Sequence, residues 1–334
     1  MKYQMYDDII EQPKAIKETT KAESSHMNDI SEKLANLDRI YLVGSGSSLS
    51  TLYSVKDALE MVSNLNIDVC TGFEFYYNKR IDNKNMGGIF TSQSGETGDT
   101  LTGLRKANEL EMYTVSITNE DNSHIYNEAK DSILTRATHE ESILGTKTYI
   151  SQLYSLYNIL FKASDYEKSE NLLKEMKTIP DLMEKIIKTS EQENKELAEK
   201  MKDEEIFYCM GSGPNFGLAY KTSMTMFMEG ALKHSCPLYS SEFRHGLIER
   251  AEENVPIVFL DADYPSDEIT KKAIEFSNGL NAKTMVFNLK DYANIDNLLS
   301  PFILAIPLEW FVYYLSDFNG EDPGSTRHIG KVRY

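Results

Sequence analysis

Residues 87–102 read GGIFTSQSGETGDTLT. The stretch opens apolar, with Ile89 and Phe90, and passes through Thr91, Ser92, Gln93, Ser94 and Thr97. It then takes up helical spacing with Leu101, Leu104, Ala107 and Leu110. This is the pattern of a buried strand, a tight loop and a helix N-terminus. Such a loop offers an anion backbone N–H groups, hydroxyl donors and the positive end of a helix dipole, with Gly95 where a side chain would obstruct. It contains no Lys, so it is not a Walker loop. Small hydroxyl residues in this number suit a phosphate monoester on a small molecule. The plain alternative is an ordinary strand-to-helix turn with capping residues, and the rest of the chain weighs against it.

The chain has 334 residues, enough for two domains of ordinary size. Its hydrophobic fraction of 41% and charged fraction of 26% are those of a folded globular protein. No apolar run reaches the length of a membrane span and MKYQMYDDII is no signal peptide, so a cytoplasmic protein without membrane contact is expected. Cys70, Cys209 and Cys236 lack metal-ligand spacing and read as reduced thiols; neither a metal nor a cofactor is called for. A formal charge of -17 argues against nucleic acid, whose phosphates would be repelled. An anionic substrate therefore needs a local exception such as a helix N-terminus.

In chain order, residues 1–36 form a helical segment whose apolar stripe is interrupted at Pro13. Strands are expected at 39–46, 67–73, 86–91, 112–118 and 132–137, with helices between them and a loop around 140–146. An apolar helix follows at 147–161. Strands alternating with helices of this length give right-handed βαβ units and a parallel sheet. Residues 164–203 are charged and helical, joining two lobes. Then the pattern restarts. IFYCMGSGPNFGLAY at 206–220 echoes IYLVGSGSSLSTLY at 40–53, 255–260 echoes 87–91, and 283–289 echoes 112–118. The chain reads as two copies of one α/β domain. The expected divisions are 1–36, 37–162 (phosphate-binding), 163–203 (linker), 204–321 and a C-terminal tail at 322–334. The second copy carries Asp261-Ala262-Asp263 where the first has its serine loop, so only the first suits a phosphate.

The second half carries Glu229, on a helix with an apolar face, and His245, 16 residues further on in SEFRHGLIE. A carboxylate beside that face is partly desolvated, which raises its pKa toward a range useful for proton transfer. The plain readings are a solvated Glu and a surface or capping His. The apolar helix at 302–315 holds the only Trp, Trp310, and belongs to the core or an interface. In the tail DPGSTRHIGKVRY, Ile329, Val332 and Tyr334 are candidate anchors that let Lys331 reach a pocket.

With these residues in view, nearly the whole chain resembles the sugar isomerase (SIS) domain family, as two tandem domains. TSQSGETGDTL matches the family's phosphate loop and GSGSS its partner loop. The resemblance implies two five-stranded parallel sheets, each flanked by helices, and a phosphosugar held by Ser48, Ser92, Gln93, Ser94 and Thr97. Two branches compete. YDDIIEQPKAI, SQSGET and the RHIGK tail match the isomerase half of the glucosamine-fructose-6-phosphate aminotransferases. The second half is more similar to the fructosamine-6-phosphate deglycases of the fructoselysine type: SSEFRHGLIE against SGEFRHGPLE, and SPFILAIPLEWFVYYLS against APFxxxxPxEWxxYYLS. The aminotransferase itself is not expected, because no glutaminase domain with an N-terminal Cys precedes the pair.

The resemblance implies an enzyme that opens a ketose 6-phosphate, or its 1-amino derivative, and moves a proton between C1 and C2. Glu229 would be the proton shuttle, His245 the acid/base of ring opening, and Lys331 an imine former or oxyanion stabiliser. The favoured outcome is cleavage of a fructosamine 6-phosphate to glucose 6-phosphate and a free amine. A glucosamine-6-phosphate deaminase or aldose–ketose isomerase would use the same residues, and a non-catalytic phosphosugar sensor is the reading from a different class. Relatives of this kind are homodimers in which the His reaches the neighbouring subunit's site, so a homodimer with shared sites is expected.

Overall fold

The computed structural model describes residues 2–81, 85–138, 140, 142, 144–164, 166–329 and 331. The first helix, α1 (Gln4–Leu34), runs unbroken through Pro13. The expected interruption is absent: the helix absorbs the one lost N–H and keeps its buried stripe of Met5, Ile9, Ile16, Met27, Ile30 and Leu34. The chain divides into two units, one of Gln12–His139 with Lys147–Pro180, the other of Met1–Glu11, Glu140–Thr146 and Asp181–Tyr334.

The first of these units alternates strands and helices: β1 (Arg39–Gly44), α2 (Ser47–Glu60), β2 (Ile67–Cys70), α3 (Gly72–Asn78), β3 (Met86–Thr91), α4 (Gly98–Glu109), β4 (Tyr113–Thr118), α5 (His124–Glu128) and β5 (Asp131–Leu134). Helices α6 (Lys147–Ala163) and α7 (Glu167–Met176) follow. The five strands form a parallel sheet in the order β2-β1-β3-β4-β5. Strand β3 lies at its centre, with Ile89 level with Leu42 on one side and Val115 on the other. Its near-continuous apolar run is what a strand covered on both faces requires. Tyr41, Phe75 and Phe90 pack edge to face at 5.1 and 5.8 Å between ring centres over one face, with Leu101 and Leu104 of α4 beside them. Because β2 and β3 lie on opposite sides of β1, the strand order reverses between β1 and β3. Ligand sites of open α/β sheets form at such a reversal, beyond the carboxyl ends of the strands. Here those ends are Gly44 and Thr91, which open into the two glycine-serine loops.

The other unit takes most of α8 (Ile179–Met201), then β6 (Ile206–Gly211), α9 (Asn215–Lys221), a π-helical segment (Thr222–Ala231), β7 (His234–Tyr239), β8 (Pro256–Asp261), α10 (Asp267–Gly279), β9 (Lys283–Asn288), α11 (Leu289–Tyr292) and α12 (Ser300–Phe318). Its sheet is parallel in the order β7-β6-β8-β9, the same order as the first four strands of the other sheet. Among the described residues it has four strands rather than the expected five. After β9 the chain turns into α11 and then α12, and among the described residues no further strand pairs beyond β9. Helix α12 passes as a membrane span by length and hydropathy, and it is wholly buried. Trp310 is core: its indole N–H donates to the Ile187 carbonyl at 3.2 Å and its ring meets Tyr6 at 4.9 Å.

Candidate functional site

The serine loop is built by the end of β3. Thr91 pairs with Gly44 across the strand pair, where a Cβ would lie 2.5 Å from the Thr91 hydroxyl, so glycine lets β1 and β3 stay paired to their ends. Ser92 is buried, its Oγ accepts the Gly95 N–H at 3.1 Å, and it lies 2.8 Å from the Thr97 hydroxyl. Ser94 is exposed, its Oγ accepting the Glu96 N–H at 3.2 Å, and Thr97 is the residue before the first turn of α4. The Gln93 carbonyl accepts the Asn119 N–H at 3.1 Å and the Thr118 hydroxyl at 3.0 Å, which fixes the loop to the end of β4. Gly95 has φ +65°, and a Cβ there would fall 2.1 Å from the Ser123 hydroxyl. The turn therefore needs glycine for conformation and for space. Across the strand reversal, Ser45 donates to Asp99 at 2.5 Å, tying the first glycine loop to the start of α4, and Ser48 sits buried in the first turn of α2. Ser92 and Thr97 are thus in contact, with Ser94 and Gln93 on the same loop and Ser48 at a separate helix start. Hydroxyls and the N-terminal turns of α2 and α4 are the donors an anion uses.

The equivalent loop of the other unit is occupied from within. Asp267, buried at the start of α10, accepts the N–H groups of Ala262 and Tyr264, both at 3.0 Å, and the Thr270 hydroxyl at 2.9 Å. Thr270 in turn reaches the Ser240 hydroxyl at 2.7 Å. Asp261 accepts the Asn288 amide at 2.8 Å, and Asp263 pairs with Lys271 and Lys290. A carboxylate of the chain's own thus satisfies the amides that an external anion would need. The sequence signal for this lies four residues beyond Asp263.

Glu229 sits near the end of the π-helical segment Thr222–Ala231. Thr222 and Thr225 return their hydroxyls to the carbonyls of Leu218 and Lys221 at 2.8 and 2.9 Å, and Phe227 stacks on Phe207 at 4.5 Å. Hydroxyl back-bonding competes with the backbone ladder, and wide turns of this kind are frequent where function is carried. The segment ends at Leu232 in the left-handed region, φ 55°. Met226, Phe227, Gly230 and Ala231 are buried, and Glu229 is left half-buried. Burial pushes its carboxyl up to about 7, and the Lys221 ammonium opposes that rise. Lys221 itself is fully buried. Its Nζ donates to the carbonyls of Leu144 and Gly145 at 2.9 and 3.0 Å. Burial pushes its pKa down, while Glu309, Glu140 and Glu229 hold the charged form. Lys221, Glu140 and the 144–146 backbone are residues that the sequence reading missed as part of Glu229's surroundings. In sequence 140–146 shows only a loop, and no local signal pairs it with a lysine 76 residues away.

His245 is exposed at the end of the turn Ser240–His245, between Phe243 and Leu247, both buried in the core beside Met210 and Phe259. Two apolar anchors thus fix the turn while the imidazole faces solvent. Among the described residues no hydrogen bond or ion pair joins His245 to Glu229 or to Lys331. The expected anchoring of the tail is not found at Ile329, which is 52% exposed. The Thr326 hydroxyl donates to the Ile329 carbonyl at 3.0 Å, and this turn closes on itself instead of against apolar neighbours. Val332 and Tyr334 lie outside the described residues. The exposed Lys331 donates from Nζ to the Thr326 carbonyl of the same turn. A cavity of about 660 Å³, lined among others by Lys185, Glu193, Lys200 and Tyr292, includes none of the candidate residues. Among the described residues, no group of three or more His, Cys, Asp or Glu is placed to hold a metal ion.

Residues 33–163 match the sequence model of the SIS domain. Over 359 residues the chain is 29% identical to the glutamine–fructose-6-phosphate aminotransferase [isomerizing] of Clostridium perfringens, covering 98% of this chain and 58% of that protein. The chain therefore spans about three fifths of the length of the curated aminotransferases it matches. It is 29% identical over 301 residues to the fructoselysine 6-phosphate deglycase of Escherichia coli, covering 88% of this chain and 86% of that one. Among solved structures, the C-terminal domain of glucosamine-fructose-6-phosphate aminotransferase from Francisella tularensis superposes with a TM-score of 0.86 at 22% identity, over 97% of this chain and 98% of that one. These last figures establish a shared fold.

Proposed function

We propose, taking residues 33–163 as the SIS domain they match, that this chain is a phosphosugar enzyme of the isomerase and deglycase type, acting on a fructosamine 6-phosphate. The observation that carries the reading is Glu229: a carboxyl held by burial at about 7 can both take and return a proton at neutral pH. The choice of a deglycase over an aminotransferase's isomerase part is supported by extent. The deglycase match takes in 86% of that relative, against 58% of the aminotransferase. The matching strand order of the two sheets supports reading the second one as a further SIS repeat that lacks the last strand.

In this reading Ser48, Ser92, Gln93, Ser94 and Thr97 receive the 6-phosphate. His245 moves the proton between the 2-hydroxyl and the ring oxygen as the ring opens. Glu229 takes a proton from C1 of the open-chain 1-amino ketose, and the electrons flow through C1–C2 onto the carbonyl oxygen, giving an enaminol. Return of the proton at C2 leaves an imine between C1 and the amine nitrogen. Water adds to C1, the C–N bond breaks, and the amine departs with a proton, leaving glucose 6-phosphate. Lys331 supplies positive charge to the oxyanion. The chain is proposed to work as a cytoplasmic homodimer in which His245 serves the neighbouring subunit's site, which accounts for an imidazole that is exposed in the single chain.

The test is to incubate the protein with a panel of fructosamine 6-phosphates and with glucosamine 6-phosphate, and to follow release of glucose 6-phosphate or fructose 6-phosphate. Release of glucose 6-phosphate from the fructosamine panel is the expected result. Turnover confined to glucosamine 6-phosphate would replace the deglycase with a deaminase.

A further inference from the structure

A fully buried lysine with no part in the steps above sits eight residues before Glu229. The ammonium of Lys221 is spent on two backbone carbonyls, Leu144 and Gly145, at 2.9 and 3.0 Å. Those carbonyls belong to a segment from the first half of the sequence. The same segment is held at two other points. The Glu140 carboxylate accepts the N–H and the hydroxyl of Thr146, each at 2.5 Å, which closes the loop on itself. The Leu144 side chain is fully buried over Gly230, where a Cβ would lie 2.7 Å from its Cδ1. Gly230 is the residue next to Glu229. The loop thus rests on the turn that carries the carboxyl, and Lys221 is what ties its backbone down.

We propose that Lys221 is a positioning residue for Glu229: it seats the 144–145 backbone beside the Glu229–Gly230 turn, and its positive charge favours the Glu229 carboxylate. The proposal rests on the reading of Glu229 as the proton shuttle, and it deepens it. A methyl-sized change at Gly230 would meet Leu144, so the loop and the turn cannot move independently. The charged groups that bear on Lys221 come from three places: Glu309 on α12, Glu140 on the loop and Glu229 on the π-helical segment. Strands β6 and β7, which also pack on that segment, bring the buried Cys209 and the exposed His234 and Cys236; Lys233 pairs with Glu205 at 3.0 Å. Burial pushes the pKa of Lys221 down, and the charges of the three carboxylates oppose that fall, while the two carbonyl oxygens hold its Nζ in place. The positive charge draws a proton off Glu229 more readily than burial alone would allow. Proton transfer is sensitive to such placement, since a displacement of about 1 Å costs up to ~10²-fold in rate.

The test compares the full-length protein with Lys221→Met and Lys221→Arg. Three quantities are read: kcat and KM on a turned-over fructosamine 6-phosphate, and the titration of the Glu229 carboxyl by carbon NMR, its signal assigned with Glu229→Gln. For Lys221→Met we expect a fall in kcat of ~10- to 10²-fold with little change in KM, and a Glu229 titration displaced upward by about 1 pH unit. For Lys221→Arg, which keeps the charge but is too long for the site, we expect a lower kcat with the Glu229 titration close to that of the parent protein. Should Lys221→Met not fold, Lys221→Arg decides alone, and a parental kcat in it overturns the positioning role. A folded Lys221→Met with unchanged kcat and unmoved Glu229 titration overturns the proposal altogether. The NMR reading does not depend on turnover, so it stands if Glu229→Gln proves active, an outcome that would remove the proton-shuttle reading and leave the Lys221–Glu229 coupling measurable.

Discussion

Glu229 is half-buried, and its carboxyl releases its proton near pH 7, where an unfolded chain would release it near 4.5. The cause is desolvation, only partly offset by Lys221. The shift has a consequence for stability. A carboxyl whose folded value lies above its unfolded one stabilises the fold in its protonated form. That contribution is complete below about 4.5 and is lost as pH rises through about 7. Glu229→Gln has no such group to ionise. Its melting temperature, measured against the parent protein between about pH 5 and about pH 8, should gain on the parent as pH rises. A constant difference across that range would mean that Glu229 is not desolvated. The sequence foretold the raised carboxyl from the apolar residues around it. It did not foretell Lys221, because a lysine in FGLAYK carries no sign that its partners are carbonyls in the 140–146 loop. Such pairings exist only once the chain is folded.

At the scale of an element, the serine loop was legible almost residue by residue. Its chemistry is local: strand, glycine turn, hydroxyls and helix start follow in one short run, and β3 occupies the expected residues 86–91. Gly95 is the point at which this element breaks most easily. Gly95→Ala has both a positive φ and a Cβ 2.1 Å from Ser123 to overcome. It should lower stability by about 1–3 kcal/mol. Displacing the Ser92 and Thr97 hydroxyls should weaken binding of a sugar 6-phosphate by ~10-fold or more, read by calorimetry. Unaltered affinity would move the phosphate to another part of the chain. The π-helical turn under Glu229 and the four-stranded second sheet were not legible. Helical spacing cannot distinguish a widened turn from an α-helix, and the count of four strands among the described residues depends on where α12 must pack. The filling of the second loop by Asp267 was half legible: the acidic residues were evident, and the one that takes the amides was not the pair that stood out.

For the whole molecule, the repeated strand order was foreshadowed by the echo of 40–53 in 206–220, because both stretches encode the same strand and glycine turn. The buried Phe243 and Leu247 present the imidazole to solvent, as a residue that serves a neighbouring subunit would be presented. If so, Glu229→Gln and His245→Asn proteins, each inactive alone, should regain part of the activity when their subunits are exchanged. Mixtures that stay inactive after exchange has been verified would confine His245 to its own chain. The central claim is that Glu229 moves the proton between C1 and C2, and it is tested most directly by the rate of glucose 6-phosphate release from a fructosamine 6-phosphate by Glu229→Gln. The account predicts a loss of ~10²–10⁴-fold with the affinity for the phosphosugar retained; release at the parent rate would contradict it.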